Sequence, residues 1–587
     1  MLKKTMRTLR VCLLAGLVHL SCAEGVQAQR PPAPKLLPEK TLATLRIVDT
    51  PQLLDRFRQT ALGRIGQDEQ VKPLVSSLYS GLQEAWKQLE ERVGLPLEEV
   101  LGIPQGEVCI AFAAQDEQRP GVVVILDVRD RTFQVRKLLE RGEALLERRG
   151  GSKGTETIAG QEVTAYQSPA GPLYLLEREG TYLLASTKEL MQFALDAWEG
   201  RVEKTLADSD QYNQIMSRCG VSSMDPPQVT YYVDPIEAIR RLARGSFAAT
   251  GLALFPVLGL DGIRGVGGSL TFASGEFDQV QHLHILLDNP RAGVLEAVAL
   301  KSSDTTPESW VPPDCLSYTT LHWDFYQTFR VSARLYNSLM EEGAFQEEVR
   351  KRISERTGVD FEKELLPLLD GRVTLAQWTE RPVRINSITS IIGLRLKDPA
   401  GMTAIIEKLV AKGGDRVEKQ HFGNVNYWTV KVPDRRNLEQ GPALRQPQPS
   451  FAIVGDYLIL SDSAKALQEA VLTSNDPSRG LANSLDYKLI ASKIKRQPGG
   501  EAPGLVQFQR PEEGMRFWYE LASADTTRQR LAQRAEQVPF FKSVDQALKD
   551  HPLPPFDVLA QYLAPGGGMM VNDETGIHYS SFTLKRE

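Results

Sequence analysis

The sequence predicts an α+β protein built as two homologous halves, each a mainly antiparallel sheet with helices packed chiefly on one face. Three observations carry that expectation. First, a stretch is written twice. Gly180, Tyr182, Leu183, Leu184 and Ser186, then a helical pattern, then Leu206-Ala207-Asp208-Ser209, Tyr212 and Ile215, return as Gly455, Tyr457, Leu458, Ile459, Ser461, then Leu481-Ala482-Asn483-Ser484, Tyr487 and Ile490. Second, short apolar runs such as Glu162–Gln167, Leu173–Glu177 and Tyr182–Ala185 follow one another at hairpin spacing, which favours antiparallel pairing. Third, the order of elements restarts after a Ser- and Pro-rich stretch, with Gly371-Arg372-Val373-Thr374 echoing Gly106-Glu107-Val108-Cys109.

Length bounds the organisation. A chain of 587 residues is too long for a single core. The expected division is a signal peptide at 1–28, a Pro-rich extended lead-in at 29–38, a first repeat at 39–288, a linker at 289–313 and a second repeat at 314–587. Four basic residues (Lys3, Lys4, Arg7, Arg10) precede the apolar run Val11–Leu20. That run is too short to cross a bilayer, and Val26-Gln27-Ala28 offers small residues before a cut. Export to the periplasm or the exterior is expected, with cleavage near Ala28. Lipid attachment at Cys22 is not expected, because His19 and Leu20 sit where an apolar and a small residue are wanted. No later stretch is apolar enough to span a membrane, so the mature chain should have no transmembrane segment.

Losing the leader shifts the net charge from −5 to −8. An acidic surface argues against nucleic-acid binding, which needs a basic face. Cys109, Cys219 and Cys315 remain; their odd number and wide spacing make neither a disulfide framework nor a metal cluster. Cys109 reads as a small buried hydrophobe, and a Cys219–Cys315 bridge is an open alternative.

Element by element, Thr41–Val48 reads as a strand. Val71, Leu74, Val75, Leu78, Leu82, Ala85, Trp86 and Leu89 keep helical spacing and should lie against the core. Asp130 and Asp398 stand where helices begin, as does Asp234-Pro235. Ser186-Thr187-Lys188-Glu189 fits a capping box. In the second half an exposed loop is expected over 433–450. Extra helical sequence fills 512–562, with Phe517, Trp518, Tyr519, Phe540, Phe541 and Phe556 packing its core.

Candidate chemistry is sparse. His282 and His284 share one strand face. Two ligands at that spacing can begin a zinc site, which needs three or four. Leu283, Ile285 and Leu287 look like the core side, so the histidines should face solvent, and the matching positions in the second half are Phe582 and Leu584. Gly265–Gly268, like Gly566–Gly568, leads into a strand and not a helix, so it reads as backbone freedom before a hairpin and not as a phosphate loop. Ser492 and Lys495 match Ser-x-x-Lys without its companion motifs. Asp208/Asn483 with Ser209/Ser484 reads as an N-cap. No residue is assigned a catalytic, cofactor-binding or metal role.

The repeated stretches Gly180–Leu195 and Leu206–Ile215, with their echoes, resemble a family of large exported bacterial proteins of unknown function. The resemblance implies a secreted α+β protein and no activity. The leading expectation is a non-catalytic binding or structural protein of the cell envelope, with an envelope protein as partner. The alternatives are a carrier holding an apolar ligand in a curved sheet, and a hydrolase assembled from distant residues, under the 433–449 loop.

Overall fold

A computed structural model describes residues 30–586 apart from 115–119, 221–224, 245–250, 433–443, 501 and 537. The leader and most of the 433–450 loop lie outside the described residues.

The first ten strands are β1 (Thr41–Ile47), β2 (Val108–Ala113), β3 (Gly121–Asp127), β4 (Ser152–Ile158), β5 (Gln161–Ser168), β6 (Gly171–Arg178), β7 (Thr181–Ala185), β8 (Val229–Val233), β9 (Ile263–Ser274) and β10 (Phe277–Leu287). The last ten are β11 (Ser317–His322), β12 (Leu369–Thr379), β13 (Ile388–Leu396), β14 (Val417–Phe422), β15 (Val425–Val430), β16 (Ser450–Val454), β17 (Tyr457–Ser461), β18 (Leu505–Gln509), β19 (Gly566–Asp573) and β20 (Gly576–Leu584). All pairings are antiparallel and join these strands into one sheet. The first ten run β4-β5-β6-β7-β3-β2-β1-β8-β9-β10. The last ten run β14-β15-β16-β17-β13-β12-β11-β18-β19-β20. Adding ten to each number of the first series reproduces the second. Among the described residues one strand pair, β10 with β20, joins the two series. The outermost strands β4 and β14 carry exposed Lys153 and exposed Glu418 and Lys419, charges of the kind that discourage edge-to-edge association.

One face of the sheet holds the main cores. In the first half, Val123, Ile125, Leu183 and Ala185 pack against Leu190, Met191, Ala194 and Leu195 of the helix Lys188–Trp198. In the second, Ile391, Ile459 and Ala452 pack against Leu467, Ala470 and Val471 of the helix Ala464–Asn475. The opposite face is covered at each wing. Leu138, Leu139 and Leu146 of the helix Thr132–Arg148 cover Leu126, Leu175 and Leu184. Met402 and Ile406 of the helix Pro399–Gly413 cover Leu458, Phe451 and Trp428.

Several local expectations need correction. Thr187, not Ser186, caps the helix Lys188–Trp198, accepting from Leu190 N at 3.2 Å, while Ser186 Oγ accepts from Val122 N. Asp130 does not cap its helix; the N-cap position is Arg131, without a side-chain bond. Asp234 and Asp398 do cap, accepting from Glu237 N and Gly401 N, each at 2.9 Å. The helix Lys72–Val93 does not lie on the sheet core. It packs on the helix Pro539–Asp550 of the extra helical region, so Val75, Leu82 and Leu89 stay exposed. Tyr562 O–H donates to Asp68 at 2.7 Å beside that contact.

The Pro-rich lead-in is not extended lead chain. Ala33–Lys35 form a 3-10 turn, and Ala33, Leu36 and Leu37 are fully buried. Trp310 and Val311 of the linker are buried the same way. Leu206 N donates to Leu37 O and Leu481 N to Val311 O, both at 2.9 Å, so the repeated Leu-Ala-Asx-Ser stretch closes over an apolar plug in each half. A buried ion pair fixes each plug, with its polarity exchanged. Glu107 receives Arg30 from the lead-in and Arg46 from β1. Arg372, at the aligned position, meets Glu308 from the linker at 2.8 Å and also donates to Thr320 Oγ1 at 3.1 Å. Glu308 further accepts from Thr374 at 2.5 Å and Tyr318 at 3.2 Å.

Removing one partner of such a pair leaves an unpaired buried charge, which costs about 3–5 kcal/mol, whereas replacing both by apolar groups is far milder. Glu308→Gln should therefore destabilise the chain by about 3 kcal/mol in urea unfolding. Glu308→Leu with Arg372→Met should lose less than the single variant.

Candidate functional site: the buried seam and the open sheet face

The repeated helix motif lies on the repeated glycines. Ser209 and Ser484 accept from Tyr212 N at 3.4 Å and Tyr487 N at 3.2 Å, capping the helices Asp210–Arg218 and Leu485–Lys495. Thr205 and Asp208 add a reciprocal cap on the preceding turn. These helices press Ile215 and Ile490 into the sheet. A Cβ on Gly265 or Gly267 would stand 2.8 or 2.6 Å from Ile215 atoms, and one on Gly567 would overlap Ile490. The glycines are therefore required by close approach of a helix. Backbone freedom is not their role, since none of Gly265, Gly267, Gly268 or Gly567 has a left-handed φ.

His282 and His284 do not face solvent. Their side of β10 is the side that carries Gly267 and the helix Asp210–Arg218, and His284 is fully buried. The assignment from Leu283, Ile285 and Leu287 failed because the helix Asp210–Arg218 covers the face that carries the imidazoles. Pairing with β20 then supplies what spacing could not show: His578 lies directly opposite His284, while Phe582 faces Val280. The His282 and His578 rings stand 5.4 Å apart and 22° from parallel, and those of His284 and His578 5.7 Å apart. Among the described residues neither ring nitrogen of His284 has a hydrogen-bond partner, nor does Nδ1 of His282 or His578. Burial pushes His284 down to about 4 and His578 down to about 3, with the Arg218 cation adding to both. The third imidazole does not complete a metal centre. Near-parallel rings do not aim their nitrogens at one point, and among the described residues no group of three His, Cys, Asp or Glu could hold a metal ion.

A cavity of about 680 Å³ brings Ser492 and Lys495 together with Lys488, Thr305 and Tyr487. It is lined by a helix face and the linker end. Ser492 Oγ accepts from Arg496 at 3.4 Å, a contact that offers the hydroxyl no base. The loop following β15 is pinned where it is described: Arg445 N donates to Asn386 Oδ1 at 2.8 Å and its guanidinium pairs with Asp462. In the extra helical region Phe517 and Phe556 are buried, Tyr519 meets Phe556 edge-on at 5.4 Å, and Trp518 is 63% exposed; the Phe540 side chain lies outside the described residues.

The middle of the other sheet face carries an apolar row that sequence reasoning missed. Leu184, Val124, Ile110, Leu45 and Tyr231 are successive cross-strand neighbours. The row continues through Gly268, Leu283, Tyr579, Met570, Leu505 and Leu321 to Val373. A second row runs Leu460, Ile392, Leu375, Thr319, Gln507. Leu45 is 52% and Ile110 50% exposed, and Leu375 and Ile392 are exposed too. At the sheet's centre the surface turns polar around Gln279, Gln281, Gln507 and Gln509, where Tyr579 O–H donates to Gln507 at 2.7 Å and a cavity of about 190 Å³ forms. Alternation of Leu45, Ile110 and Val124 was legible as strand pattern, but which face stays open depends on where the wing helices end.

Residues 344–513 match the family model described as a protein of unknown function (DUF3352). The matched segment runs from the helix before β12 through β18 to the start of the helix Pro511–Ser523. A solved structure, that of crystal form III of TP0453, is similar at 11% identity over 46% of this chain and 84% of its own, with a TM-score of 0.24. That score supports no inference about fold or function. No curated protein matches the chain. Among the described residues no helix is long and apolar enough to cross a membrane.

Cys219 and Cys315 are not bridged; each thiol is buried, in a different core. Burial pushes Cys109, Cys219 and Cys315 each up to about 12. All three should resist iodoacetamide at pH 8 in the folded protein and react in denaturant, read by mass spectrometry at each cysteine.

Proposed function

We propose that this is an exported, non-catalytic binding protein of the cell envelope whose open sheet face takes a single-chain amphiphile. The apolar row from Val124 to Val373, with Leu45 and Ile110 half exposed between the two wing helices, is the observation that carries this reading. Every central strand is paired on both sides, so its backbone has no hydrogen bonds left to offer. A peptide laid on the face would leave amides unpaired, at about 1–3 kcal/mol for each desolvated group. A hydrocarbon chain has none to lose, and each buried methylene gains about 0.8 kcal/mol. The glutamines and Tyr579 at the centre suit its polar end. Export rests on the leader reading. The common strand order and the repeated motif support descent from one duplicated unit, with repeats at 39–288 and 314–587.

A hydrolase reading has less support, since the Ser492 hydroxyl accepts from Arg496 and, among the described residues, is bonded to no carboxylate or imidazole. A fluorescent fatty acid should bind the purified mature chain. Leu45→Glu with Ile110→Glu should weaken that binding at least about tenfold, because a charge on the row must be desolvated by the chain. These side chains are already half exposed, so the fold should persist by circular dichroism. Wild-type protein that leaves the probe in water, or a variant that binds it equally well, would refute the proposal.

A further inference from the structure

Among the described residues the β10–β20 pair is the single strand junction between the two series, and its helix-side face sets three imidazoles among Val280, Leu286 and Phe582. We propose that this seam is an acid-sensitive latch: proton uptake by His282, His284 and His578 parts β10 from β20 while the strands of each wing stay paired. The inference does not depend on what the open face binds.

The surroundings make the closed seam intolerant of charge. The His578 ring contacts those of His282 and His284 across the strand pair, so a proton on it would sit beside a second imidazole. From β9 the neighbours are Gly265, Gly267 and Ser269, none of them charged. The helix Asp210–Arg218 contributes one cation, Arg218, and the residues after it, Cys219 and Gly220, contribute none. From β19 comes one anion, Asp573, which already pairs with Arg218 and whose backbone carbonyl accepts from Arg291 at 2.7 Å. The helix Leu485–Lys495 brings Ile490 and Ile494 to this face, and its Lys493 pairs with Glu276 at the strand's far end. A histidinium here therefore gains no free counter-ion. It meets Arg218 and a second imidazole.

The direction of the pH effect follows from linkage. These histidines bind protons more weakly when the seam is closed than when it is open to water. Closure is thus fully favourable above the ordinary histidine value of about 6.5 and weakens as pH falls below it. Each histidine can contribute up to about tenfold per pH unit to opening until its closed-state value is reached. The wings carry no such cluster among the described residues; their paired strands β7 and β17 are faced by apolar side chains, Leu190 and Met191 on one and Trp310 and Leu467 on the other.

Hydrogen exchange of the full mature chain, corrected for the intrinsic pH dependence of exchange, reads this directly. Those amides in 279–286 and 577–584 that bond across the β10–β20 pair should lose protection more than tenfold between pH 7 and pH 4.5, while those bonded to β9 and β19 keep theirs. Amides in 181–185 and 457–461 should keep theirs. His284→Phe with His578→Phe should hold the seam closed at pH 4.5. Seam protection unchanged at pH 4.5, or seam and wings lost together, would overturn the latch in the wild-type chain alone. A folded double variant that opens at the same pH as the wild type would overturn it as well.

Discussion

One strand pair carries the continuity of this molecule. β10 and β20 meet antiparallel, and through them ten strands become twenty. A sheet so extended has no closure to remove its edges, so it ends on strands with charged side chains and is held rigid by packing on its faces. The pairing brings three histidines together and aligns the apolar rows of the two wings into one surface. Both consequences belong to register: shifting β20 by one residue would turn His578 to the open face and move Tyr579 off the row.

Packing on the helix side explains why the repeated residues are the ones repeated. Ile215 and Ile490 reach the backbone of β9 and β19 only because glycine stands there. Leu206 and Leu481 bond the plug carbonyls of Leu37 and Val311. The motif is thus a local device for docking one helix and one plug on one sheet, and carries no chemistry. The plugs show the same economy with a different outcome. Their shape is retained in both halves, while the ion pair beneath has exchanged sides, Glu107 in one and Arg372 in the other. A buried pair constrains the sum of charge and the geometry; it does not constrain which strand supplies which sign.

Much of the frame was legible. Hairpin spacing foretold β4 to β7, and Asp234, Asp398, Ser209 and Ser484 mark helix starts where they cap in fact. The failures share a cause. Residues 29–38 and 289–313 look like lead-in and linker because of their prolines and the Ser302-Ser303-Asp304-Thr305-Thr306-Pro307 run, yet Leu36, Leu37, Trp310 and Val311 are buried by contacts distant in sequence. The helix Lys72–Val93 has an apolar stripe that promised the core, but its partner is another helix some 460 residues away in the chain. His282 and His284 were placed on the wrong side because alternation identifies two faces and does not say which one a helix will cover.

What the sequence by itself determined is the list of elements, their caps and the repetition of one docking motif, since these depend on neighbours within a turn or a hairpin. What only the tertiary structure decided is which surface stays open and which groups meet. The third imidazole comes from a strand nearly 300 residues away, and the exposed row exists because the wing helices stop short of the sheet's centre. Both follow from long-range pairing and packing, which no local period encodes.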